Sequence, residues 1–430
     1  MEKLIIQGFA GLQDIEIIPK KINLLIGPQA SGKSIITKLL FYFRSFIKEI
    51  FVSGAKLESK AGLDKRFKHL FEQYFPPESW GEPRFSVRYI LNDEYIEINR
   101  KSTKKQSISD LELTYSDLYK KILNQARSMV KKSAESIFLP KISRTSIIDS
   151  GVYLQTENEF LKKISEQLNL ESAFDQLFIP AGRSLFAIYD ENIFGFLSSD
   201  LPLDPLLIGF GRYYERARNV VNSHAYHLIQ HQNSDTSSSN FSRLKSQLLV
   251  GEYTRYQGKD CIQSSDGRKV RLSYSSSGQQ EILPLILILE NLTSSIFNLD
   301  RIGTSTYIEE PEAHLFPSAQ RDIVNLIVTA YNAKFNQFRF FLTTHSPYIL
   351  TSFNNLIQAG ILSKSGHRDQ VLKVIPASQI LDPDDVAAYH IVDGKARNII
   401  DPETQLIDAQ IIDSISEELA IQFDQLLEIE

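Results

Sequence analysis

Residues 27–34 read Gly-Pro-Gln-Ala-Ser-Gly-Lys-Ser and follow the apolar run Ile22-Asn23-Leu24-Leu25-Ile26. The text predicts a strand, a glycine-containing turn, and a helix from Ile35 onward. Gly27 and Gly32 let the backbone curl, so that the N–H groups around Gln29, Ala30 and Ser31 point at one shared anion. The N-terminus of the following helix adds partial positive charge at the same place. Lys33 reaches outer phosphate oxygens and the Ser34 hydroxyl is a ligand for Mg²⁺, so the segment is a candidate site for a nucleotide triphosphate.

Three further segments carry chemistry. Thr306-Tyr307-Ile308 runs as a short apolar strand into Glu309-Glu310-Pro311-Glu312. Adjacent acids on an extended backbone face opposite ways and so take different tasks. Glu309 suits Mg²⁺, directly or through water, and Glu310 suits orientation or deprotonation of an attacking water. Phe340-Phe341-Leu342-Thr343-Thr344 ends at His345, an imidazole placed to sense a terminal phosphate or position that water. Leu272 to Glu281 forms a Ser-rich loop before a helix, where Ser276, Gly278 and Gln279 offer hydroxyl, N–H and amide groups to an anion. The cluster Asp382-Pro383-Asp384-Asp385 reads as a capped turn before Val386–Ile391, with metal ligation as the other reading.

These residues need elements to hold them. Leu4–Ile6, Ile15–Ile18 and Ile22–Ile26 read as strands and Ile35–Ile50 as one helix. Phe85–Ile90 and Tyr95–Asn99 read as a hairpin, and 109–168 as largely helical. Leu113–Ile137 intersperses Lys120, Lys121, Arg127, Lys131 and Lys132 among helically spaced apolar residues. That pattern is either a solvated face or a partner- or DNA-facing patch. Gln232–Ser242 reads as a polar loop. From Val270 to about Leu356, helices alternate with strands, which argues for α/β architecture with a mainly parallel sheet. The expected division is a first half of the head at 1–55, an inserted helical arm with a small hairpin at 56–265, a second half at 266–360 and an extension at 361–430. No internal repeat is apparent.

Bulk properties narrow the class. The chain has 430 residues, 42% hydrophobic, with net charge −5, and so lacks the global basic character of a nucleic-acid-binding protein. One cysteine, Cys261, excludes an internal disulfide framework and fits a reducing compartment. The longest apolar run, Ile282–Leu289, contains Pro284 and is too short to span a bilayer. The N-terminus does not read as a signal peptide, so the expectation is a cytoplasmic protein without a membrane.

In this order the four segments resemble the ABC-type ATPases of the SMC, RecF and OLD group. Gly27–Ser34 is similar to their Walker A loop, Tyr307–Glu310 to Walker B, and Ser275–Gln279 to the signature. Glu312–Phe316 is similar to the D-loop and His345 to the switch histidine. Ser277 stands where the usual signature has its first glycine, a departure shared with the OLD-like branch. Phe178-Ile179-Pro180-Ala181-Gly182-Arg183 also resembles that branch. The resemblance implies an ABC-type P-loop head with a mixed or parallel sheet, interrupted by a mainly helical arm, that uses ATP and Mg²⁺. It also implies a homo-oligomer, at least a dimer and up to a hexamer, in which Ser276, Gly278 and Gln279 of one copy complete the phosphate site of another. The chain past Leu356 is too short for the Toprim nuclease domain of OLD proteins. The layout is most similar to the ATPase subunit of PARIS anti-phage systems, ahead of Septu- or retron-associated ATPases. That implies a separate Toprim-like effector nuclease and a phage-encoded trigger. The alternative is a RecF-like repair ATPase that binds DNA directly.

Overall fold

The computed structural model describes residues 1–81, 84–101, 111–136, 151–188, 204–223, 226, 236–294, 302–334, 336–408, 414–427 and 429. The N-terminal strands are β1 (Glu2–Phe9), β2 (Leu12–Ile17) and β3 (Ile22–Ile26), followed by α1 (Lys33–Arg44), α2 (Phe46–Ala55) and α3 (Lys60–Tyr74). The next elements are β4 (Phe85–Leu91), β5 (Glu94–Arg100), β6 (Leu111–Tyr115), α4 (Asp117–Ser136), α5 (Gly151–Gln167) and β7 (Asp175–Ile179). Then come α6 (Pro205–Val221), α7 (Thr236–Leu249), β8 (Glu252–Tyr256), β9 (Lys259–Gln263), β10 (Lys269–Arg271) and α8 (Ser277–Thr293). The chain continues through β11 (Thr304–Glu309), α9 (Pro317–Ala333), β12 (Phe338–Thr344) and α10 (Pro347–Leu362) to β13 (Val386–Val392), β14 (Lys395–Asn398) and α11 (Ser414–Leu427).

Among the described residues, eleven strands form one mixed sheet in the order β6-β5-β4-β1-β2-β14-β13-β3-β12-β11-β7, and β10-β9-β8 form a second, smaller one. The half from β13 to β7 is parallel throughout, while β6 to β2 is antiparallel. Every residue of β3 and β12 is buried, as strands covered on both faces must be. Successive residues divide between two cores. Ile22, Leu24, Ile26, Phe340 and Leu342 pack with α8, α9 and α10. Leu25, Tyr307 and Phe341 pack with α1 and with the aromatic cluster of Phe43, Phe46, Phe67 and Phe71. The fold is the α/β, mixed-sheet class expected.

Several expected boundaries move. The helix expected over 35–50 breaks at Ser45, whose hydroxyl donates to the Phe41 carbonyl at 2.7 Å. Leu111–Tyr115, expected within a helix, is a strand paired with β5; its five residues alternate in burial but are too few to separate the two periods. Residues 236–242, read as part of a polar loop, belong to α7, held by the buried Phe241, Leu244, Leu248 and Leu249. The rest of that stretch, 232–235, lies outside the described residues. The 56–265 stretch is not a separate arm, because β4, β5, β6 and β7 lie in the main sheet. The basic helix α4 buries Tyr119, Ile122, Leu123, Ala126 and Val130. Lys121, Lys131 and Lys132 are exposed and Lys120 pairs with Asp117, the pattern of an ordinary solvated face.

The segment expected as an extension supplies a central strand. β13 lies beside β3 in parallel register, Val386 opposite Ile22 and His390 opposite Ile26. The Asp382 carboxylate caps the turn before it, accepting from the Asp384 N–H at 2.9 Å. Its apolar side chains complete both cores, with Val386 and Ala388 on one face and Ala387, Tyr389 and Ile391 on the other. A chain ended at residue 360 is therefore expected to show no cooperative thermal transition by circular dichroism, whereas one ended at residue 408 melts cooperatively.

Candidate nucleotide site

The 27–34 turn leaves the C-terminal end of β3, the edge at which parallel sheets hold ligands. Gly27 (φ 156°) has no room for a side chain: a Cβ there would stand 2.1 Å from the Ile391 carbonyl oxygen of β13. Gly32 (φ 99°) caps α1 in the left-handed region, and no side chain caps that helix. The first-turn N–H groups of α1 are thus open to an anion. The Lys33 ammonium donates to the carbonyls of Gly27 (2.9 Å) and Pro28 (2.7 Å) and to Ser31 Oγ (3.3 Å). Burial lowers its pKa below the usual lysine value, and the nearby Glu310 and Glu312 oppose that shift. Phosphate oxygens would replace neutral carbonyls with charged acceptors, which bind an ammonium more strongly.

β11 and β12 bring the acids and the histidine to the same edge. Glu309 of β11 pairs with Thr343 of β12, and Thr344 of β12 pairs with Ile26 of β3. Burial raises the Glu309 carboxyl pKa, while hydrogen bonds from the Ser34 hydroxyl and the Ala181 N–H act to lower it. Its Oε1 is buried with no hydrogen-bond partner. An orphaned carboxylate oxygen beside a serine hydroxyl fits Mg²⁺, a cation that takes oxygen ligands. Among the described residues no group of three or more His, Cys, Asp or Glu side chains could hold a metal, so phosphates and water would complete its shell. A cavity of about 540 Å³ opens beside Glu309, lined by Pro180, Ala181, Gly182, Ser184 and Asp204.

Glu310 points elsewhere. Its Oε1 lies 3.1 Å from His345 Nε2, and its backbone takes φ 43°, a left-handed conformation rare for a side chain of this kind. Glu312 staples the two loops, its Oε1 accepting from Thr344 Oγ1 (2.6 Å) and from the His345 N–H (2.8 Å). Burial raises its carboxyl pKa, and these donors act against the rise.

The Ser-rich loop ends in a capping box: the Gln279 N–H donates to Ser276 Oγ at 3.3 Å and the Ser276 N–H to Gln279 Oε1 at 3.2 Å. Ser277 is the first helical residue and needs no glycine conformation. Gly278 lies against the acidic loop, where an added Cβ would be 3.0 Å from the His314 carbonyl oxygen. The Gln279 amide donates to the Leu249 carbonyl at 2.7 Å, so within one copy it is engaged locally. The structure thus gathers Lys33, Ser34, Glu309, Glu310 and His345 with the 27–34 backbone. It holds Gly278 against the neighbouring acidic loop, with Ser276 and Gln279 paired beside it in the capping box.

Two contributors were not assigned from the sequence. Arg183, fully buried, donates to the carbonyls of Glu309 (2.8 Å) and Glu310 (3.0 Å); its signal was the 178–183 run. The end of β13 is the other, with Ile391 walling Gly27. Burial lowers the His390 pKa there, and Arg397 and Lys33 add to the fall.

A family model described as an AAA ATPase domain matches residues 1–350 of the 430, and the chain belongs to that family. No curated protein matches it in sequence. Among solved structures it is similar to the Smc head bound to the C-winged helix domain of ScpA (13% identity, TM-score 0.39, 92% of this chain and 96% of that one). It is also similar to the SMC head domain from Thermotoga maritima (12%, 0.35, 92% and 97%) and to the recombination mediator protein RecF-ATPrS (13%, 0.31, 92% and 97%). No helix among the described residues is long and apolar enough to cross a membrane.

The buried carboxyl of Glu309 yields a pH test. Its folded pKa is raised, so its ionisation opposes folding. That penalty is absent below the unfolded glutamate value, about 4.3, and complete above the folded one. Ligand-free Glu309→Gln is expected to melt higher than wild type at pH 7.5, with the difference closing toward pH 4, as followed by thermal melts across that range.

Proposed function

We propose that the chain is a slow ATP-hydrolysing switch that works as an oligomer and passes its nucleotide state to a separate partner protein. The observation that carries this reading is the meeting of Lys33, Ser34, Glu309, Glu310 and His345 at the ends of three adjacent parallel strands. In this reading the 27–34 backbone and Lys33 hold the β- and γ-phosphates. Ser34 and Glu309 would hold Mg²⁺, which when bound neutralises developing phosphate charge. Glu310 takes a proton from the attacking water as the new O–P bond forms and the bridging oxygen leaves with ADP. His345 holds the Glu310 carboxylate in place and senses the γ-phosphate. Most of the rate comes from positioning and from fixed charge.

Three aromatic side chains flank the site and stay exposed: Tyr274 before the Ser-rich loop (77%), Phe316 in the acidic loop (77%) and Tyr348 after His345 (53%). Their exposure supports closure by a second copy, with Ser276, Gly278 and Gln279 facing the other copy's nucleotide. The partner we favour is a Toprim-like effector nuclease held and released in anti-phage defence after a phage-encoded trigger acts. That part rests on the resemblance of the chain's layout to the ATPase subunit of PARIS systems and of its 178–183 run to the OLD-like branch.

Lys33→Ala is expected to lose binding of a fluorescent ATP analogue. Glu310→Gln should keep that binding within about threefold and lose at least 100-fold in kcat for phosphate release. Equal rates in wild type and Glu310→Gln would remove Glu310 from its role. With ATP and Mg²⁺, Glu310→Gln should run in light scattering at twice the monomer mass or more, and ligand-free protein at a lower mass.

A further inference from the structure

Arg183 leaves the end of β7 at full burial, and its side chain is committed to two places at once. On one side Nη1 donates to the Glu309 carbonyl (2.8 Å) and Nη2 to the Glu310 carbonyl (3.0 Å). On the other, Nε donates to the Glu281 carbonyl at 3.1 Å and lies 3.5 Å from its carboxylate. The Glu281 carboxylate, itself 3% exposed, accepts from the backbone N–H groups of Arg183 and Ser184, both at 3.2 Å. Glu281 stands in the first turns of α8, two residues beyond Gln279. The guanidinium is therefore the link between the helix that begins at the Ser-rich loop and the strand end that presents both acids.

The link has a mechanical consequence. Glu310 holds a left-handed backbone, and in that conformation its carboxylate lies 3.1 Å from His345 Nε2. Planar donors on two successive carbonyls set the peptide planes on either side of it, which a flexible single-point ammonium cannot do. A shift of α8 moves Glu281, and through it Arg183 and the 309–310 carbonyls.

We propose that Arg183 is a positioning residue for hydrolysis: it aims Glu310 and, through Glu281, makes that aim depend on the position of the 276–279 loop. The proposal rests on Glu310 being the water-activating group. In an oligomer it connects the loop that faces a neighbour's nucleotide, through Glu281 and Arg183, to the copy's own acids.

The test uses the full chain with Glu281→Gln and Arg183→Lys, beside wild type and Glu310→Gln. Both variants are expected to bind the ATP analogue within threefold of wild type and to keep KM within threefold, with kcat reduced at least tenfold. In hydrogen exchange, which needs no turnover, Glu281→Gln should speed the amides of 309–314, although Arg183 is intact. Arg183→Lys should speed 275–282 as well. The proposal is overturned by a folded Glu281→Gln with kcat within twofold of wild type and unchanged exchange at 309–314. It is equally overturned if kcat and nucleotide binding fall together with faster exchange throughout, the sign of a merely structural pair. Should wild type and Glu310→Gln turn over ATP equally, the functional reading fails by itself, and the exchange at 309–314 in Glu281→Gln still decides whether the coupling exists.

Discussion

The site depends on the register of three parallel strands. Ile26 lies opposite Thr344, and Thr343 lies opposite Glu309. The loops that begin at Gly27, Glu310 and His345 must therefore leave the same edge of the sheet. A slip of one residue in either pairing would turn Glu309 or Thr344 to the other face and carry its apolar neighbours out of their core. The two cores resist that slip, because alternate residues of β3, β11 and β12 are buried on opposite sides. Packing of apolar side chains far from the edge thus sets the positions of the polar ones at the edge.

Held at that edge is a set of groups that would be unfavourable on their own. Glu309 and Glu312 are desolvated enough for burial to dominate their pKa shifts. Glu310 carries a left-handed backbone, which costs roughly 1–2 kcal/mol. Arg183 offsets this with hydrogen bonds to two carbonyls, each worth about 1.5–3 kcal/mol when the donor is charged. The comparison favours the strained conformation as long as the arginine is in place. Burial also lowers the pKa of Arg183, while Glu281, Glu312, Glu309 and Glu310 raise it. A charge buried this deeply needs partners on several sides, and the acids of the site are among them.

Much of the site was legible because its signals are local. A glycine turn between an apolar strand and a helix, paired acids at a strand end, and a histidine at the next strand end each show in a window of about ten residues. The misreadings share a cause. Leu111–Tyr115 is short enough to fit either period, and its strand identity comes from pairing with β5. Residues 236–242 are rich in serine, yet Phe241 and Leu244 fold them into α7 by burial. The 361–430 segment looked peripheral because no motif lies in it, and β13 is central only through its pairing with β3.

The sequence alone determined which residues could bind phosphate, hold a cation and move a proton, since those properties belong to side-chain chemistry and to spacing along a few consecutive residues. Only the tertiary structure decided that β13 walls Gly27, that four strands of the expected arm join the head, and that Arg183 ties Glu281 to the carbonyls of Glu309 and Glu310. Such contacts join residues roughly 100 to 360 positions apart. They arise from burial and strand pairing, which are properties of the assembled sheet and leave no periodic trace in the chain.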